Sequence, residues 1–98
     1  MSENFIKEFE DKVNWDKLSI YQELSENFIH EFKNKVNWEN IIQYQKLSEE
    51  FIKNHWSFIN NKISYLFKYQ TLSEEFVFYI KEYYLNNEFT YSNILALT

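Results

Sequence analysis

The sequence MSENFIKEFEDKVNWDKLSIYQE, residues 1–23, is followed directly by LSENFIHEFKNKVNWENIIQYQK, residues 24–46. The two stretches are identical at 13 of 23 aligned positions. Their opening returns as LSEEFIK at residues 47–53 and as LSEEFVF at residues 72–78. Self-similarity at a nearly fixed period is typical of stacked repeat proteins, in which no single unit can bury its own apolar face.

The repeat divides the chain into four units, and we predict that together they form one all-α domain. The units are residues 1–23, 24–46, 47–71 and 72–98. Each unit has room for two short helices, so the chain is expected to be a helical-repeat array of about eight helices. The complete absence of Gly and Pro agrees with this prediction, because these residues commonly interrupt helices.

A serine near the start of every unit marks the expected start of its first helix. These serines are Ser2, Ser25, Ser48 and Ser73. A serine hydroxyl at this position can accept a hydrogen bond from a free amide of the first turn, and the Glu that follows complements the helix dipole. Asn14 and Asn37 are predicted to cap the second helices of units one and two, because Asn is a strong N-cap residue.

The aromatic residues of the repeat are predicted to form the core. A large ring that recurs at one fixed position is expected to lie between stacked units, because neighbouring units must bury such a face. We therefore expect burial of Phe5, Phe9, Trp15, Phe28, Phe32 and Trp38. Leu18 and Tyr21 should join Trp15 on the buried face of its helix, and Leu24 should pack at the junction with unit two.

Units three and four depart from the pattern, and the departures indicate where a partner binds. Unit three is 25 residues long, and its turn is predicted at Asn60 and Asn61. Trp56 stands where units one and two carry Glu10 and Lys33, and Phe78 stands where the earlier units carry a basic residue. Interface anchors are enriched in Trp and Tyr. The predicted partner-binding residues are Trp56, Phe78, Tyr79, Tyr83 and Tyr84.

A second interpretation of these rings stays open at this point. An α-helix that is apolar all round is either buried or covers another surface. The C-terminal tail SNILALT, residues 92–98, could fold back over the aromatic residues of unit four, which would then be core.

Composition excludes several kinds of protein. The chain has no Cys, so disulfides and thiolate metal sites are ruled out. Its net charge is -5, and the lysines nowhere cluster without acidic neighbours, so a nucleic-acid partner is not expected. There is no secretory signal and no apolar run near the roughly 18 residues of a membrane helix. We therefore expect a cytoplasmic protein with no membrane partner.

Side chains that often carry chemistry are present without the spacing that chemistry needs. His30 and His55 are the only histidines, and no zinc-type ligand spacing surrounds them, so His30 is predicted to be a surface residue. The carboxylates of unit one lie beside Lys7 and Lys12 and are expected to form a solvated face. The serines lack the motifs of nucleophiles. We expect no catalytic residue, no metal and no cofactor.

The consensus LSExFIxEFxxKVNWxxIxxYQ resembles a short tandem repeat found in predicted proteins of giant DNA viruses and of other AT-rich viral or mobile-element genomes. The resemblance covers residues 1–46 closely, and beyond them only the LSEEF openings and Tyr69-Gln70 persist. It implies a helical array in a viral or mobile-element setting. The family carries no assigned chemistry, so the resemblance implies no catalytic residue.

These observations predict a non-enzymatic protein-binding module. In a viral or phage setting, such a protein is expected to bind and inhibit a host protein, for example a defence nuclease of the CRISPR type. Two alternatives stay open. One is a helical repeat that binds nucleic acid through Trp, Tyr, Asn and Lys side chains on a concave face, where Trp15 and Trp38 could stack on bases. The other is a self-assembling module that forms a homodimer through its C-terminal unit.

Overall fold

The structure is a computed structural model that describes the backbone of residues 1–86 and the side chains of residues 1–83. This part of the chain is an all-α helical-repeat array, as predicted. Its helices are α1 Glu3–Glu8, α2 Trp15–Tyr21, α3 Glu26–Glu31, α4 Trp38–Tyr44, α5 Glu49–Asn54, α6 Trp56–Ile59, α7 Ile63–Tyr69 and α8 Glu74–Asn86. The predicted C-terminal tail and the side chain of Tyr84 lie outside the described residues.

Every first helix begins at the serine predicted to cap it. The serine hydroxyl accepts a hydrogen bond from the amide three residues later at 3.1 Å in all four units. The second helices of units one and two also begin where predicted, since the amide oxygens of Asn14 and Asn37 accept from the third residue after them at 3.0 and 3.1 Å. Both sets of caps are therefore confirmed.

Units one and two are matching helix pairs, and unit three is an expanded version of them. In unit three, α6 is inserted after α5, and a 3₁₀ turn at Asn60–Lys62 leads into α7. The predicted turn at Asn60 and Asn61 is thus confirmed. The second helices pack side by side, α2 on α4 and α4 on α7. The result is an elongated body of 44 × 21 × 19 Å.

The core is built by a tryptophan of one unit covering a ring pair of the next. The Trp15 ring lies 6.0 Å from Phe28 and 5.0 Å from Phe32, measured between centroids. The Trp38 ring lies 6.1 Å from Phe51 and 5.9 Å from His55 in the same way. Phe28, Phe32 and Trp38 are buried, as is Leu24 at the junction, and Trp15 is partly buried.

Three core predictions for unit one are wrong. Phe5 and Phe9 are 48% and 38% exposed, because the ring that covers their equivalents in unit two is Trp15, which faces unit two. Tyr21 is 77% exposed. The inward side of α2 is centred between Leu18 and Ser19, and Tyr21 lies about 110° round the helix from that direction.

In units one to three, a carboxylate at the start of the first helix binds the serine cap of the next unit. Glu3 accepts from the amide and the hydroxyl of Ser25 at 2.7 and 2.9 Å. Glu26 accepts the same two hydrogen bonds from Ser48, and Glu49 accepts them from Ser73. One serine therefore caps its own helix and anchors its unit to the unit before it.

A glutamine adds a second polar link at two of the junctions. The Gln45 side chain accepts from the amide of Leu24 at 3.0 Å and donates to the carbonyls of Ser19 and Gln22 at 3.0 and 2.6 Å. Gln70 makes the equivalent three bonds one unit later. These bonds give the repeated glutamine a structural role in units two and three.

Surface ion pairs link units one and two. Lys7 lies 3.0 Å from Glu31, and Lys35 lies 3.1 Å from Asp11 and 3.6 Å from Glu10. The hydrogen bond to Asp11 raises the pKa of Lys35 above its ordinary value, and the charge of Glu10 adds to this. Lys35 therefore stays charged across the neutral range, but solvent screens such exposed pairs.

Candidate protein-binding site

Helix α8 presents opposite faces to the core and to solvent. Its cap at Ser73 fixes where the helix begins. Phe76 and Ile80, four residues apart, are both buried against the array. Phe78 lies two residues beyond Phe76, about 200° round the helix, and is 64% exposed. The capped start of α8 therefore sets which of its rings faces solvent.

The structure separates the predicted partner-binding residues into two groups. Phe78 and Tyr79 are exposed. Trp56 and Tyr83 are partly buried, pack against the core, and meet edge to face with ring centroids 5.8 Å apart. Trp56 and Tyr83 thus help to hold α6 against α8, whereas Phe78 and Tyr79 are available at the surface.

A groove runs beside Phe78, between α7 and α8. Its walls are largely apolar, and Glu74, Gln70 and Lys81 add polar groups to its lining. The cavity has a volume of about 520 Å³. Its apolar lining consists of Phe67, Leu72, Val77 and Phe78. Phe67, Leu72 and Val77 were not predicted as site residues, because their hydrophobicity alone does not distinguish a groove wall from core.

Tyr79 lies on the other side of Phe78 and is held by a cation. The Lys53 ammonium lies 4.9 Å from the centroid of the Tyr79 ring and 5.5 Å from that of Phe76. A cation over an aromatic face contributes about 0.5–1 kcal/mol at an exposed site. The Tyr79 ring is therefore held in place by Lys53 of unit three, and its exposed portion remains accessible.

The two histidines form a contact that sequence reasoning missed. His30 is exposed, as predicted, but its Nδ1 lies 2.8 Å from Nε2 of the buried His55. Nδ1 of His55 lies 2.9 Å from the carbonyl of Phe51. The carbonyl can only accept, so Nδ1 of His55 is the donor there. His55 occupies the place of Phe9 and Phe32 in the repeat, and a polar ring at that position was the available signal.

Two further features of the described residues bear on the kind of site. Within residues 1–83, no three His, Asp or Glu side chains converge in a way that could hold a metal ion. None of the described helices has the length and apolar character needed to cross a lipid bilayer.

Comparison of the chain with models of protein families, with characterised proteins and with solved structures found no match in any of the three.

Proposed function

We propose that this protein is a non-enzymatic binding module that contacts another protein through the α8 patch, defined as Phe78, Tyr79 and the adjoining groove of Phe67, Leu72 and Val77. One observation carries the proposal. Phe78 is 64% exposed at a position where the three earlier units carry Lys7, His30 and Lys53. The repeat tolerates charge there, so the ring contributes little to folding.

The α8 patch has the composition of an interface anchor. Complete burial of a Phe side chain is worth about 1.5–3 kcal/mol, and a few aromatic residues commonly dominate binding. The groove beside Phe78 can receive an apolar side chain of the partner. Glu74 and Lys81 provide charges of both signs near it, which favours a specific orientation over simple adhesion.

The class of partner follows from the viral-type repeat rather than from the geometry. A viral or phage protein of this kind is proposed to act in the host cytosol by binding and inhibiting a host protein. A defence nuclease of the CRISPR type is the narrower proposal. An aromatic anchor beside a groove supports the binding step, and the inhibitory step rests on the resemblance.

The test is a capture experiment with matched variants of the full chain. The immobilised chain is exposed to lysate of a candidate host, and captured proteins are purified and titrated individually. Phe78→Lys restores the basic residue of the repeat, so it should fold normally and weaken binding by about tenfold or more. Tyr21→Lys removes an exposed ring at the opposite end and should leave binding unchanged.

Two results would contradict the proposal. One is equal binding by Phe78→Lys and by the unchanged chain, with both shown to be folded by circular dichroism. The other is a chain that self-associates through the α8 patch and binds no captured protein, which would make the module self-assembling. If the captured protein is a nuclease, its cleavage rate should fall as the chain is added.

A further inference from the structure

Unit one exposes a cluster of large apolar side chains at the N-terminal end of the array. Half of the eight exposed large apolar side chains among the described residues belong to this unit: Met1, Phe5, Phe9 and Tyr21. The rings of Phe5 and Phe9 lie 4.9 Å apart. Met1 and Tyr21 line a second groove, which has a volume of about 300 Å³. We call Met1, Ser2, Phe5 and Phe9 the N-terminal face.

Each residue of the N-terminal face has an equivalent in unit two that is either buried or in contact with unit one. Met1 corresponds to Leu24, which is buried at the junction. Phe5 and Phe9 correspond to Phe28 and Phe32, which lie under Trp15. Ser2 corresponds to Ser25, whose amide and hydroxyl both donate to Glu3.

The same set of contacts recurs between units two and three. Leu47 is buried, Trp38 covers Phe51, and Glu26 accepts from Ser48. The receiving surface is therefore a property of the repeat rather than of one junction. In unit one, the receiving surface is the N-terminal face, and its apolar side chains Met1, Phe5 and Phe9 are exposed to solvent.

We propose that the N-terminal face binds a further helix pair of the same repeat class. The occupant presents a tryptophan that covers Phe5 and Phe9. It also presents a glutamate that accepts from the amide and hydroxyl of Ser2. Continuity with the two established junctions specifies these groups, because they satisfy the same receiving residues there.

A second folded copy of this chain does not supply that pair from units one or two. Trp15 already covers Phe28 and Phe32, and Glu3 already binds Ser25. In unit two, Trp38 and Glu26 are engaged in the same way with unit three. The occupant therefore has to bring a tryptophan and a glutamate that no following unit uses. This surface is separate from the α8 patch.

The direct test uses a labelled synthetic peptide with the sequence of residues 1–23 as the probe. It carries a tryptophan and a glutamate at the required spacing. Fluorescence anisotropy should show saturable binding to the full chain. The Trp15→Ala peptide should bind about tenfold more weakly or worse, because an aromatic anchor is lost. Phe9→Glu in the chain should have a similar effect, whereas Phe78→Lys in the chain should have none.

A second arm covers the case in which the free peptide is too short to fold. An extra copy of residues 1–23 is fused ahead of Met1 in the full chain. The added unit should raise the midpoint of thermal unfolding by about 4 °C or more, since a repeat is stabilised through its neighbour interface. Changing tryptophan to alanine in the added copy should remove the gain.

The outcomes are decisive in both directions. A thermal gain that depends on the added tryptophan supports the proposal, with or without binding of the free peptide. No gain, or an equal gain from the alanine version, overturns it. Peptide binding that persists with Phe9→Glu also overturns it, because the peptide would then be displacing unit one from unit two.

Discussion

The glutamine that ends α4 shows how one side chain holds two units together. Gln45 is 7% exposed, and its side chain accepts from the backbone amide of Leu24 in its own unit and donates to two backbone carbonyls of unit one. A buried polar group without a partner costs about 1–3 kcal/mol. Gln45 thus satisfies groups that the stacking of units has removed from water.

Replacing Gln45 with Ala should therefore be costly, although the residue is polar. We expect a loss of roughly 3 kcal/mol in the free energy of unfolding, since three hydrogen bonds of about 1 kcal/mol each disappear. Denaturation with urea, followed by circular dichroism, measures the loss. Gln22→Ala is the matched control and should change stability by less than about 0.5 kcal/mol, because Gln22 is not buried. Equal effects would mean that the Gln45 bonds add nothing.

At the level of the element, the helices are too short to be stable alone. The two helices of unit one contain 6 and 7 residues, whereas isolated helices below about 12–15 residues are marginal in water. Their ends must therefore be fixed by caps and their faces by neighbours. Asn37 serves as a cap and as a contact between units. Its side-chain oxygen caps α4, and its side-chain nitrogen Nδ2 donates to Asp16 of unit one at 3.1 Å.

The two roles of Asn37 can be separated by substitution. Asn37→Ala should cost about 1–2 kcal/mol, since it removes the cap and the bond to Asp16. Asn37→Asp keeps a good cap but places a carboxylate beside Asp16, so its loss should be smaller and should shrink as salt is added. Urea unfolding at low and high salt distinguishes the two. A loss from Asn37→Ala with no loss from Asn37→Asp at either salt concentration would show that only the cap matters.

Local signals at the element level were readable from the sequence, whereas contacts between units were only partly so. Ser25 and Asn37 reveal helix starts because a cap acts on amides three residues away. Burial of Phe5 could not be read in this way, because it depends on whether another unit lies above the ring. The role of His55 was hidden for a similar reason, since its partner His30 lies one unit away.

The candidate site was predictable to the same limited extent. Phe78 could be singled out because a ring replaced a repeated charge, and the structure places it in solvent. Trp56 gave the same signal, yet it is partly buried and contacts Tyr83. The difference arises from α6, an inserted helix that brings Trp56 against α8 and that no earlier unit contains.

For the whole molecule, stability should follow the order of units along the array. Second helices contact their sequence neighbours, α2 on α4 and α4 on α7. In such arrays the free energy of unfolding is approximately a sum of contributions from the units and from their junctions. An end unit can therefore open while its more distant neighbours stay folded. Unit one is joined to the array through Trp15 and Glu3, and unit two is held on both sides.

This arrangement predicts that substitutions of the two equivalent tryptophans, Trp15 and Trp38, destabilise different numbers of units. Trp38 is buried against Phe51, His55 and Phe58, so Trp38→Ala should cost about 3–5 kcal/mol and speed hydrogen exchange in units two and three. Trp15 is only partly buried, so Trp15→Ala should cost less and should speed exchange mainly in α1 and α2. Hydrogen exchange followed by mass spectrometry resolves the units. If Trp15→Ala instead lowers protection equally from α1 to α7, the array unfolds as a single cooperative body, and the junctions cannot be treated as separate contributions.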